Sequence, residues 1–219
     1  MTRIDQVGDA ALLVTLGDDP ELSVNARARR LATRLTVAGP PLPGVGVPVP
    51  GHASVLVPFD PDLAGETAVR DMIRAALETI GDEPEGAGGT NRLHELRVAY
   101  GGVDGPDLAD VAACTGMTER EVVRLHAGVE HRVLVLGFVP GFAYLGGLPA
   151  ALDLPRRAVP RVRAPAGSVA IAGLQTGIYP SATPGGWHLI GRTDAWLWDP
   201  VADPPARLAP GDRVRFVPA

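Results

Sequence analysis

The chain contains no lysine; every one of its 20 basic residues is arginine. That excludes a P-loop lysine, a Schiff-base lysine and a biotin-bearing lysine. Any phosphate handled here must be met by arginine, by backbone N–H groups or by a partner. The single cysteine, Cys114, cannot close an internal disulfide. No apolar run approaches the roughly 18–20 residues a membrane helix requires. The start does not read as a secretory leader, because Asp5, Asp9, Asp18 and Asp19 flank the short apolar run 10–16. A basic surplus is missing too: the net charge is −5 and the pI about 5.5. That balance lacks the footprint nucleic acid demands, so neither nucleic acid nor a membrane is an expected partner, and the expected location is the cytoplasm. There is no metal-ligand spacing of Cys or His and no Gly-x-Ser-x-Gly nucleophile elbow.

What is present is a chain with 46% hydrophobic residues, ample for a buried core. Residues 11–16 form an apolar run of strand length, and 53–57 another. Val24, Ala28, Leu31 and Leu35 fall on one face of a helix over 24–35. Residues 39–50 are broken by prolines and glycines, and 66–80 read as a second amphipathic helix. The first 85 residues are therefore expected to form a small α+β domain, helices on an antiparallel sheet. The stretch 81–91 has four glycines and no apolar residue larger than alanine, which reads as a linker or long surface loop.

Residues 92–219 are expected to form a β-rich second domain. A strand is predicted over 93–100 and two short helices over 107–114 and 118–127. The second opens on Thr118-Glu119-Arg120-Glu121, a capping box. From Val133 onward, short apolar runs alternate with Gly/Pro turns, the pattern of a closed or rolled β-structure. The overall fold class is α+β.

Between Asp153 and Asp194 there is no Asp or Glu, yet Arg156, Arg157, Arg161, Arg163 and Arg192 all lie there. Segregated positive charge in an acidic chain marks a surface for an anion or an acidic partner, and arginine suits bidentate capture of carboxylate or phosphate. The neutral alternative is that these arginines pair with carboxylates elsewhere in the fold. Three segments read as rigid polar loops beside them: 137–147, 173–180 and 183–187. They set aromatics between glycines and prolines, where backbone amides can approach a ligand closely.

These segments, in order and spacing, resemble the KipI / 5-oxoprolinase B-subunit (PxpB) family, also called allophanate hydrolase subunit 1. The residues that carry the likeness are Gly137-Phe-Val-Pro-Gly-Phe-Ala-Tyr-Leu-Gly-Gly147, the run 155–168, Gly173-Leu-Gln-Thr-Gly-Ile-Tyr-Pro180 and Pro184-Gly-Gly-Trp-His-Leu-Ile-Gly-Arg-Thr193. Gly8-Asp-Ala-Ala-Leu12, Tyr100-Gly-Gly102, Gly105-Pro-Asp-Leu108 and Pro210-Gly-Asp-Arg-Val214 extend it over nearly the whole chain. The resemblance implies a cyclophilin-like β-barrel for the second domain. It also implies one part of a hydrolase, working with a KipA-like C component and a LamB/YcsF-like A component. The complex would open 5-oxoproline to L-glutamate at the expense of ATP, with ATP and Mg²⁺ as cofactors of the complex rather than of this chain. Within that reading Arg161, Arg163 and Arg192 would bind substrate carboxylate or phosphate. Tyr144, Gln175 and Tyr179 would orient the lactam, and Trp187 would form an apolar wall. Two alternatives remain open: a KipI-type inhibitor of a sensor histidine kinase, and an allophanate or urea-carboxylase-associated subunit.

Overall fold

The computed structural model describes residues 2–18, 21–37, 42–80 and 91–219. The linker reading over 81–91 lies, apart from Asn91, outside the described residues, as do residues 39–41 of the Pro/Gly-rich stretch. The chain divides into two compact units, Met1–Gly89 and Thr90–Ala219.

In the first unit, β1 (Arg3–Val7), β2 (Ala11–Thr15), β3 (Val49–Pro50) and β4 (Ser54–Pro58) form an antiparallel sheet in the order β1-β2-β4-β3. The helices are α1 (Leu22–Val37) and α2 (Glu66–Thr79). Strand alternation puts Leu12, Val14, Val55 and Val57 on the core side, where Ala28, Leu31 and Leu35 of α1 and Val69 and Ile73 of α2 meet them. Strand β1 went unread in the sequence because Arg3-Ile-Asp-Gln-Val7 is an exposed edge strand with almost no apolar alternation.

The second unit holds β5 (Leu93–Tyr100), α3 (Leu108–Thr115), α4 (Glu119–Ala127), β6 (Glu130–Leu136), β7 (Ala143–Gly146), β8 (Arg161–Ala164), β9 (Ser168–Ala172), β10 (Gln175–Ile178), β11 (Thr183–Gly185), β12 (His188–Arg192) and β13 (Arg213–Pro218). Seven of these strands close into a barrel in the order β10-β7-β6-β13-β5-β12-β9, and β9 pairs with β10 to complete the ring. Closure removes the free edges that an open sheet would expose. The first and last strands, β5 and β13, pair in parallel, and the other barrel pairs are antiparallel. Val98, Leu145, Ile171, Ile190, Val214 and Phe216 belong to the barrel core, and Val111 of α3 and Val122 of α4 pack into it. Helix α4 begins where the sequence placed it. The Thr118 side chain accepts from the Glu121 N–H, and Glu121 accepts from the Thr118 N–H at 2.8 Å. Strands β8 and β11 form a separate two-stranded ribbon.

Parts of two segments expected to be rigid loops are barrel staves instead: β7 takes 143–146 of 137–147, and β10 takes 175–178 of 173–180. Tyr144 sits on β7 and Gln175 opens β10, with Gly177 opposite Tyr144. The glycines misled because here they mark close approach rather than a turn. A Cβ on Gly177 would lie 3.0 Å from the Phe142 ring and 3.1 Å from the Trp187 ring, so only glycine lets those rings lie on the strand.

Candidate functional site

An aromatic shelf is built around β7, β10 and β12. Phe142 is its hub, with ring centroids 4.9 Å from Tyr144, 5.3 Å from Tyr179, 5.7 Å from Trp187 and 5.5 Å from Phe138, all edge-on. Tyr144 and Trp187 meet directly at 5.8 Å. Ala170 and Ala172 of β9 and Leu189 of β12 belong to the same cluster. Edge-to-face pairs of this kind add about 0.5–1.5 kcal/mol each beyond the area they bury, so the shelf is a fixed surface.

Three residues expected at a site, Tyr144, Tyr179 and Trp187, are thus brought together. Their accessibilities differ. Tyr144 and Gln175 are half-buried, whereas Tyr179 and Trp187 are buried. The Tyr179 oxygen accepts from the Trp187 N–H, and a Cβ on Gly185 would collide with that hydroxyl. Burial pushes the Tyr179 phenol up, so it stays protonated. Through that bond Tyr179, itself buried, holds the backbone around Trp187 in place.

The arginines separate into three groups. Arg157 donates to Asp107 at 2.7 Å, and Arg161 donates to both Asp107 oxygens at 2.6 Å. Asp107 also accepts from the Leu189 N–H at 2.7 Å. It is buried just before α3, so it clamps that helix to β12 and to the arginine-bearing segment. The free anion-binding role expected of Arg161 is corrected accordingly, because its fork is already filled by a carboxylate. Two guanidiniums share one carboxylate, so the cluster keeps a net positive charge. Arg156 and Arg163 are exposed, and among the described residues neither makes an ion pair. Arg156 and Arg161 are close enough to Tyr179 to act on its hydroxyl electrostatically.

Arg192 belongs elsewhere. It lines a cavity of about 730 Å³ with Arg97, Arg207, Glu95, Asp104 and Asp194, and its own Nη1 is 4.0 Å from Asp104. None of the shelf aromatics lines that cavity. The expectation of one cleft holding Arg161, Arg163 and Arg192 is overturned for Arg192. It ends β12, five residues beyond Trp187, and a strand advances about 3.3 Å per residue.

Sequence reasoning missed two polar centres. One is Asp107, 54 residues from Arg161; its only signal was the Gly105-Pro106-Asp107 punctuation before a helix. The other lies inside the barrel. Tyr100 Oη is 2.8 Å from His126 Nδ1, His126 Nε2 is 2.9 Å from Thr176 Oγ1, and Thr176 donates to the Ala170 carbonyl at 2.9 Å. Because the Thr176 proton goes to Ala170, His126 must carry its proton on Nε2 and accept from Tyr100. Burial first, and the neighbouring His131 second, hold the His126 pKa well below its ordinary value; burial pushes the Tyr100 phenol up. Every member is consequently neutral, and the chain of bonds is structural.

Among the described residues no helix is long and apolar enough to cross a membrane. Residues 2–208 match the family profile described as carboxyltransferase domain, subdomain C and D. The chain is similar to the B subunit of 5-oxoprolinase from Escherichia coli O157:H7, with 46% identity over 213 residues, 97% of this chain and 94% of that protein. It is similar to the protein of the same name from Bacillus subtilis (strain 168), with 37% identity over 222 residues, 98% of this chain and 92% of that one. Among solved structures, TTHA0988 in space group P212121 superposes with a TM-score of 0.80 at 36% identity, covering all of this chain. This chain spans only 40% of that polypeptide. The Kluyveromyces lactis urea carboxylase superposes with a TM-score of 0.79 at 22% identity, a likeness of fold, and this chain corresponds to 22% of its length.

Proposed function

The chain belongs to the 5-oxoprolinase B-subunit family, within the carboxyltransferase-domain subdomain C and D group, and we propose on that premise that it is the B subunit of an ATP-dependent 5-oxoprolinase. This hydrolase complex opens 5-oxo-L-proline to L-glutamate. The observation that carries the proposal is the near-full-length identity to two proteins of that name. The geometry supports it through the aromatic shelf and through Arg156, which acts on the shelf residue Tyr179 and makes no ion pair among the described residues.

In this reading the flat five-membered lactam lies on the shelf, against the edges of Tyr144 and Trp187. Its carboxylate is taken by Arg156 and Arg163, whose forks match a carboxylate bidentately. Arg161 adds positive field from behind, held in place by Asp107. Tyr144 and Gln175 orient the amide by side-chain hydrogen bonds, and Tyr179 fixes the backbone of 185–187. A lactam carbonyl is a poor electrophile, and the ring opens only when its amide oxygen becomes a leaving group. In the complex ATP would supply that by phosphorylating the oxygen: one water would then add to the carbon, the adduct would expel the ring nitrogen as the amine and leave an acyl phosphate, and a second water would release phosphate to give L-glutamate. Preorganised donors stabilise the charge that develops.

Mg²⁺ and ATP belong to the complex. Among the described residues no group of three or more His, Cys, Asp or Glu gathers as a metal site. The carboxylate that the arginines do meet, Asp107, has its oxygens filled by Arg157, Arg161 and Leu189. These residues do not fit a hard cation. A KipA-like C component and a LamB/YcsF-like A component complete the machinery. A biotin-dependent alternative would need a carrier lysine from another chain.

The test is reconstitution. The three proteins are mixed with ATP, Mg²⁺ and 5-oxoproline, and glutamate is assayed with and without this subunit. Omission should stop glutamate formation; turnover undiminished by that omission contradicts the proposal.

A further inference from the structure

Phe138 stands on a backbone that no ordinary side chain favours. Its φ is +69°, and the Val139 N–H donates across it to the Gly137 carbonyl at 2.9 Å. A hydrogen bond over two residues with a positive φ at the centre is the strained form of the γ-turn. Glycine would sit there at no steric cost, and glycines stand at positions 137 and 141 of the same loop, yet the centre is a phenylalanine.

Burial does not explain the choice, because the Phe138 residue remains 58% exposed. Its contacts within the fold are edge-on, 5.5 Å to Phe142 and 6.5 Å to Tyr179. The turn is nevertheless held firmly. Gly137 N donates to the Phe142 carbonyl at 3.1 Å, and Phe142 N donates to the Val139 carbonyl at 3.0 Å. At the other end Gly141, with φ +81°, leaves no room for a Cβ, which would lie 2.6 Å from Cβ of Trp198. The loop is over-determined from both sides, and what it holds in place is a half-exposed ring standing over the shelf. Strain that a fold retains without repayment from its own packing accumulates where a ligand is bound.

We infer that Phe138 is a specificity-determining residue: it forms the outer apolar wall of the shelf and recognises the closed ring of a small cyclic amide. This rests on the reading of the shelf as the 5-oxoproline site. The methylene edge of the lactam is its only apolar part, and a preset ring meets that edge without losing side-chain freedom on binding. An open-chain product offers no such compact edge.

The experiment uses the reconstituted complex with Phe138→Asn and Phe138→Tyr. Asparagine tolerates positive φ, so F138N removes the ring without adding strain, and its thermal midpoint should be no lower than that of the parent. Its KM for 5-oxoproline should rise about tenfold or more, the size of effect expected from losing one apolar wall, with kcat changed less than about twofold. F138Y keeps the ring and should hold KM within about twofold of the parent. An F138N complex with the parental KM overturns the inference. So does a lowered thermal midpoint, which would make the ring a packing element, or a loss traced to weaker assembly of the complex, which would make it an interface residue. The two readings fail separately. If omitting the whole chain leaves turnover intact, the functional reading falls; if omission stops turnover while F138N behaves as the parent, only the role of Phe138 falls.

Discussion

Leu145 and Tyr144 are neighbours on β7, and they live in different chemistry. Leu145 is fully buried in the barrel core. Inside the same barrel the polar groups at His126 are matched among themselves, with both ring nitrogens engaged. Tyr144 lies on the shelf with Phe142 and Trp187, and Phe142 in turn meets Phe138 of the strained γ-turn. One side of a single strand is settled, and the other keeps charge and strain in reserve. The inner side accounts for stability, and the outer side carries the proposed substrate contacts.

Asp107 joins the two sides, so removing it has the largest expected effect. Asp107→Ala leaves two guanidiniums and a backbone N–H without their carboxylate, and breaking a pair of this kind costs about 3–5 kcal/mol. Denaturant unfolding measures it, and a loss under about 1 kcal/mol would show the clamp to be incidental. Next comes Leu145→Ala, at about 2–5 kcal/mol by the same method. Its neighbour sharpens the comparison, because Tyr144→Phe should cost about 1 kcal/mol or less in stability while impairing glutamate formation by the complex. Equal stability losses at the two positions would break the division between faces.

A smaller effect follows from pH. His126 and His131 both have folded pKa values below 6.5. The unfolded chain therefore binds more protons than the folded one below about pH 6.5, and stability must fall as pH drops through that region. Each histidine contributes a slope of at most about 1.4 kcal/mol per pH unit. Unfolding at pH 7.5, 6.5 and 5.5 should show a steeper loss for the parent than for His126→Asn. Parallel curves would mean that His126 is accessible to protons in the fold.

Much of this was legible in the sequence wherever one residue type had one job. The capping box at Thr118 and Glu121, the α1 face through Ala28, Leu31 and Leu35, and strand β5 all appear where periodicity put them. The short apolar runs after Val133 read as a closed or rolled β-structure, and the resemblance carried by the 137–147 and 173–193 segments made that expectation a barrel. What failed to show were relations across the sequence. Strand β10 hid because Gly177 is there to admit two rings, and a glycine for close approach reads like a glycine for a turn. The acid-free stretch looked like one cationic surface, but folding brought Asp107 to Arg157 and Arg161 and carried Arg192 to a separate cavity. Composition counts charges along a chain and cannot report which of them meet.

The most direct measurement is the steady-state kinetics of a complex reconstituted with the Arg156→Ala/Arg163→Ala double variant, together with the variant's thermal unfolding. Both side chains are exposed and make no ion pair among the described residues, so stability should stay within about 0.5 kcal/mol of the parent. The KM for 5-oxoproline should rise at least about tenfold, the worth of one or more lost charge-assisted hydrogen bonds. A double variant that supports glutamate formation with the parental KM would contradict the account, because the segment 156–163 would then not be where the substrate's carboxylate is held.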